Sequence, residues 1–149
     1  MDVYPNKIVF KVTTSPRWIY PSMPEWVTNG GTANTPLTST SWDGDARSTT
    51  AKTLIDLSVV FGVPAGVKAV LLFVWVRDSG SATNDTYLIL GPTNSNLVGM
   101  AIDPHAVNDR IRRATIIVPC DANGDIYYQI GASGAGTFDV FMQVLGYYI

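Results

Sequence analysis

The stretch Val67–Arg77, VKAVLLFVWVR, decides the fold class. It holds no breaker residue, and Lys68 is its one interior charge. Along a strand, successive side chains point to opposite faces. Val67, Ala69, Leu71, Phe73 and Trp75 therefore share one side, and Val70, Leu72, Val74 and Val76 the other. Both sets are apolar and rich in β-branched and aromatic residues, which predicts a central strand covered on two faces. The covers are two layers of its own domain, or its own core on one side and a second subunit on the other. The stretch is too short to cross a bilayer as a helix, which takes roughly 20 apolar residues.

Working outward, Gly62-Val63-Pro64-Ala65-Gly66 is a turn, with Pro64 presetting φ and Gly66 closing it. Ahead of it, Thr53–Phe61 alternates Ile55, Leu57, Val59 and Phe61 against Leu54, Asp56, Ser58 and Val60, the pattern of a half-buried strand. Downstream, Thr86–Leu90, Leu97–Ile102, Arg110–Pro119, Ile126–Ile130 and Thr137–Ile149 read as further strands. Gly99 inside LVGMAI signals a bulge or a close backbone approach. Asn123-Gly124 is the strongest short hairpin signal in the chain and predicts a direct reversal into Ile126. In the last segment Phe138, Val140, Met142, Val144 and Tyr148 form the apolar side, while Asp139 and Gln143 mark the wetter one. With Lys7–Thr13 added, about eight strands succeed one another at roughly 8–15-residue spacing, and no convincing amphipathic helix intervenes. The expected fold is all-β: an antiparallel β-sandwich, jelly-roll-like, preceded by an extended N-terminal arm. Residues 1–50 form the arm with its first strand, and residues 51–149 the sandwich, within a single structural domain.

The arm has its own character. Ser15–Trp42 carries Pro16, Pro21, Pro24, Pro36 and Gly30-Gly31 and has no periodicity. Yet Trp18, Trp26 and Trp42 lie in it, and a disordered linker is normally poor in aromatics. Such an arm is ordered by lying on something. Either it packs across its own domain, or it anchors on a neighbouring subunit, where tryptophan buries a large area with few rotors to freeze.

Composition narrows the function. Only 15% of the 149 residues are charged, the net charge is −2, and no lysine-rich arm offers itself to a phosphate backbone. Nucleic acid is therefore not an expected partner, and neither is a membrane. The single Cys120 forms no internal disulfide and reads as a small core residue. Met1–Pro5 shows no positive segment leading into an apolar one, so synthesis and assembly in a cytoplasm are expected.

Candidate chemistry is sparse. His105, near Asp103 and Asp109, is a lone loop histidine, and Asp121–Asp125 places its Gly fourth where a calcium loop of the EF-hand type places it sixth. No metal or cofactor is expected. No nucleophile elbow and no paired carboxylates are marked, so the chain is not expected to be an enzyme. The remaining groups suit binding surfaces. Trp75 lies in the central strand, Arg110, Arg112 and Arg113 cluster at the start of another, and Tyr147 and Tyr148 end the chain's last strand. Together with the arm tryptophans these are the candidate interface residues.

The run Ala46–Asp85, ARSTTAKTLIDLSVVFGVPAGVKAVLLFVWVRDSGSATND, and the ending Gly131–Ile149, GASGAGTFDVFMQVLGYYI, resemble small β-sandwich structural proteins of tailed-bacteriophage virions, of the head decoration, cement or fibre type. The resemblance rests on strand and turn signatures. It implies a virion location after assembly in the host cytoplasm, and a role as capsid decoration or cement protein. The partners it implies are other copies of the chain, as a homotrimer, and the major capsid protein or other virion proteins. Its alternative is a tail-fibre module recognising host surface glycans.

Overall fold

In the computed structural model, residues 44, 47, 49–80, 86–132 and 137–149 are described, together with the backbone of four short N-terminal strands. Those four are β1 (Asp2–Tyr4), β2 (Lys7–Val9), β3 (Trp18–Ile19) and β4 (Glu25–Trp26). The body continues as β5 (Thr53–Ile55), helix α1 (Leu57–Phe61), β6 (Ala69–Asp78), β7 (Tyr87–Gly91), β8 (Met100–Ile102), β9 (Arg112–Pro119), β10 (Ile126–Gly131) and β11 (Phe138–Tyr148).

Two antiparallel sheets face each other. One has the order β5-β10-β7-β8; in the other β11 pairs β6, β6 pairs β9, and β3 and β4 both pair the far side of β11. The pairing is nested. β7 pairs β8, the flanking β6 and β9 pair each other, then β5 with β10, then β4 with β11. One long antiparallel ribbon has been rolled up, so that β10 also pairs β7 and β11 also pairs β6. That is the jelly roll.

Alternation along β6 sets the core. Val70, Leu72, Val74 and Val76 are buried, while Leu71, Phe73 and Trp75 face outward and are half-buried. Opposite them, Ile55, Leu88, Leu90, Ile102, Ile126, Tyr128 and Ile130 fill the inner face of the other sheet. Central strand β6 therefore has both apolar faces the sequence predicts, with only the inner one fully shielded.

Besides β8, which forms only over Met100–Ile102 of the expected Leu97–Ile102, and Asp139 and Gln143, which are buried where the wetter side is expected, four details depart from expectation. Thr53–Phe61 is not one strand: Asp56 caps a short helix, its Oδ1 accepting from the Ser58 and Val59 N–H groups at 3.0 Å each. Gly62 ends that helix at φ 65°, and the four-residue spacing buries Leu57 and Phe61 while leaving Val59 67% exposed. Asn123-Gly124 does turn the chain, but it arches between sheets instead of closing a hairpin, because β9 pairs β6 and β10 pairs β5 and β7. Gly124 is needed there: at φ 94°, an added Cβ would lie 2.5 Å from the Gly66 nitrogen, in the neighbouring arch.

The third departure is on β11, where a bulge between Val144 and Gly146 shifts the register. It inserts one residue and reverses the facing of the strand beyond it, so Tyr147, not Tyr148, continues the core set. Lastly, the described part of Lys7–Thr13 pairs with β1 as a separate two-stranded ribbon, and β3 and β4 take the place beside β11. Residues 10–13 lie outside the described residues.

Candidate interaction surface

Any site on this scaffold is built from the side chains the sheets leave outside. On the β11–β6–β9 sheet, pairing places Phe141 and Arg113 on either side of Trp75. The ring of Trp75 meets Phe73 edge-on at 5.7 Å and the tilted ring of Phe141 at 5.2 Å. The Arg113 guanidinium carbon lies 4.6 Å from the Trp75 ring centroid, a cation–π contact on an exposed arginine. Ile117, opposite Leu71, is exposed further along the same face, with Thr115 between it and Arg113. Where the row ends, Arg77 donates to Asp139 Oδ2 from Nε at 2.8 Å and from Nη2 at 2.6 Å, with Asp109 3.9 Å away. The result is a largely aromatic row with charge at one end, in which Phe73 and Trp75 are half-buried while Phe141 and Asp139 of β11 are buried.

The expected interface residues separate on this scaffold. Trp75 and Arg113 come together on the outer face, and Tyr148 reaches the same face half-buried. Arg112, one residue away, alternates to the opposite side, and its Nη1 donates to the Asp103 carbonyl at 3.3 Å. Arg110 precedes the strand and is exposed, so the three arginines do not act as one cluster. Tyr147 is a core residue, turned inward by the bulge. The backbones of Trp18 and Trp26 sit in β3 and β4, opposite Tyr148 and Gln143. Trp42 lies outside the described residues.

The carboxylates near the Asn-Gly arch are engaged locally. Asp121 Oδ1 accepts from the Asn123 and Asp125 N–H groups at 2.8 and 2.9 Å, and Asp125 Oδ1 accepts the Leu57 N–H at 3.0 Å. Burial, opposed by that Leu57 bond and reinforced by the Asp56 and Asp121 charges, raises the Asp125 carboxyl above its ordinary range. Burial, with the charges of Asp121 and Asp125, pushes the Cys120 thiol up to about 12. Among the described residues no group of His, Cys, Asp or Glu is placed to hold a metal ion, and no helix is long and apolar enough to cross a membrane.

Sequence reasoning missed one cluster, around the β7–β8 connection. Asn96 Oδ1 accepts the Lys52 backbone N–H at 3.2 Å, and Asn96 Nδ2 donates to the Thr50 carbonyl at 3.3 Å. The Leu97 N–H donates to Gln129 Oε1 at 2.9 Å, and the Lys52 ammonium donates to the Val98 carbonyl. Lys52 and Gln129 are buried, and burial lowers the Lys52 pKa. A lone lysine in a polar run carries no pattern that announces such a strap. No family model matches the chain, and no curated protein matches its sequence.

Proposed function

We propose that this chain is a structural component of a bacteriophage virion, a decoration or cement protein that grips the major capsid protein at subunit joints. The observation that carries the reading is the half-buried Phe73–Trp75 pair packed on the buried Phe141, with Arg113 laid over Trp75 and Ile117 exposed on the same face. Aromatic and arginine side chains in one half-shielded patch are the usual anchors of protein interfaces. The low charge of the chain suits a surface given to neighbours, the Asp121 and Asp125 carboxylates are engaged in local hydrogen bonds, and the Cys120 thiol is held protonated. The N-terminal arm, whose β3 and β4 extend the same sheet beyond β11, supplies the second grip on the shell.

The test is binding of the full chain to undecorated capsids. Arg113→Glu and Ile117→Asp, both at exposed positions, should each weaken binding roughly tenfold or more, and deletion of residues 1–45 should abolish it. Unchanged binding by the two substituted chains would overturn the reading. A few copies at a tail tip, with retention on a glycan array, would replace it by the fibre alternative.

A further inference from the structure

The turn Asp121–Asp125 lies against the arch that ends at Gly66, and the Asn123–Gly124 peptide unit is fastened there on both sides. Its carbonyl accepts the Gly66 N–H at 2.7 Å, and its N–H donates to the Asp121 carbonyl at 3.2 Å. On its flanks, Asp121 Oδ1 accepts the Asn123 and Asp125 N–H groups at 2.8 and 2.9 Å. Gly124 is buried against Gly66, while Asn123 itself is exposed.

Asparagine followed by glycine is chemically labile, because a residue without a Cβ lets its backbone nitrogen reach the asparagine Cγ. The nitrogen gives up its proton to water and attacks Cγ; a C–N bond forms, and the side-chain nitrogen leaves as ammonia. Water then opens the cyclic imide. Opening at Cγ leaves an aspartate in an ordinary chain, and opening at the main-chain carbonyl leaves an isoaspartate whose backbone is longer by one carbon. The net change turns one amide and one water into one carboxylic acid and one ammonia, with no oxidant or reductant. Attack requires the Gly124 nitrogen to shed its proton and its peptide plane to swing towards Cγ. In the closed arch the Asp121 carbonyl holds that proton, and the Gly66 N–H holds the plane.

We infer that Asn123 is a deamidation site that the fold holds closed: the reaction runs while the arch is open and stops when Gly124 seats on Gly66. The isoaspartate product does not fit the closed arch. An added Cβ at Gly124 would already lie 2.5 Å from the Gly66 nitrogen, so a longer backbone at this point finds no room. The new carboxylate also stands on the turn that carries those of Asp121 and Asp125. A brief opening of the arch is thereby made permanent in each chain that reacts. The inference goes beyond the shell-binding reading, since it concerns a covalent change of the chain itself and needs no partner.

Peptide mapping by mass spectrometry of the full chain, incubated at mildly alkaline pH with and without urea, tests it. The folded chain should convert Asn123 roughly a hundredfold more slowly than the unfolded one, because several hydrogen bonds must part before the nitrogen is free. Asn29-Gly30, the same pair in the N-terminal arm, calibrates the chemistry: in urea the two sites should react at similar rates. Asp121→Ala withdraws the acceptor for two N–H groups of the turn, and should speed conversion of Asn123 in the folded chain roughly tenfold without changing its rate in urea. Amide exchange in the unaltered chain keeps the test independent of that variant's folding, since the Gly66 and Gly124 protons should be protected to the same order as the deamidation is slowed. Equal Asn123 rates in folded and unfolded chains, a folded Asp121→Ala chain that converts no faster, or slow conversion beside unprotected Gly66 and Gly124 amides would overturn the inference.

Discussion

Leu71 and Leu72 are neighbours in β6 with the same side chain, and the fold assigns them opposite fates. Leu72 is 0% exposed and meets Val144 and Ile116 in the adjacent strands; Leu71 is half-buried on the outer face, opposite Ile117. Leu72→Ala removes a fully buried side chain whose surroundings, two cross-strand neighbours and the opposite sheet, have little room to collapse. The expected cost is about 3–4 kcal/mol. Leu71→Ala gives up partly solvated surface, worth about 1 kcal/mol. At about 2.1 cal/mol/K per residue, the unfolding entropy of 149 residues is about 0.3 kcal/mol/K, so the melting temperature should fall by about 10–13 °C for Leu72→Ala and about 3 °C for Leu71→Ala. Scanning calorimetry reads both. Equal shifts, or a larger one for Leu71→Ala, would refute the facing of β6 and with it the outer surface on which the functional proposal stands.

The turns and caps give further expected outcomes. Asp56→Ala should cost about 1 kcal/mol in urea unfolding, and Asp56→Asn much less, because only the former removes the acceptor for the Ser58 and Val59 N–H groups. The Ser58 hydroxyl first, then the Val59 N–H, holds the Asp56 carboxyl below its ordinary value, so its contribution is complete above about pH 4 and fades as pH falls through the lower folded value. Asp125 has the opposite sign. Its folded pKa is raised, so stability linked to it grows as pH falls through that value and is lost as pH rises; Asp125→Asn should gain stability relative to wild type at about pH 7, and the gain should shrink towards about pH 4. Cys120, held near 12, should react with a thiol reagent roughly a thousandfold more slowly in the folded chain than in urea, and equal rates would contradict its burial.

Much of the sandwich was legible because its strands are periodic and its turns chemically marked. β6, β9 and β10 fall within a few residues of their alternating runs. The features that escaped are places where one residue changes the count. Alternation through Ile55, Leu57, Val59 and Phe61 fits a strand and a helix almost equally over so short a span, and only the Asp56 and Gly62 caps tell them apart. The extra residue on β11 exchanges Tyr147 for Tyr148 at the core, and its one signal is Gly146, a mid-strand glycine within an otherwise regular run. Strand order, and so the arch at Asn123-Gly124, depends on which distant segments pair. Of the surface, Trp75 and Arg113 were visible as residue types, but their stacking is a product of register.

The rolled ribbon also dictates a timetable. β11 leaves the ribosome after β1 to β10, yet its seat is in the interior of its sheet, between β6 and the short N-terminal pieces. Until those final residues emerge, a nascent chain holds β6 with one flank bare and its apolar row exposed to foreign strands, and a copy cut short before Phe138 can never complete the sheet. Closure of that sheet is thereby reserved for chains extended through Tyr148, and every shorter product leaves β6 as an open edge.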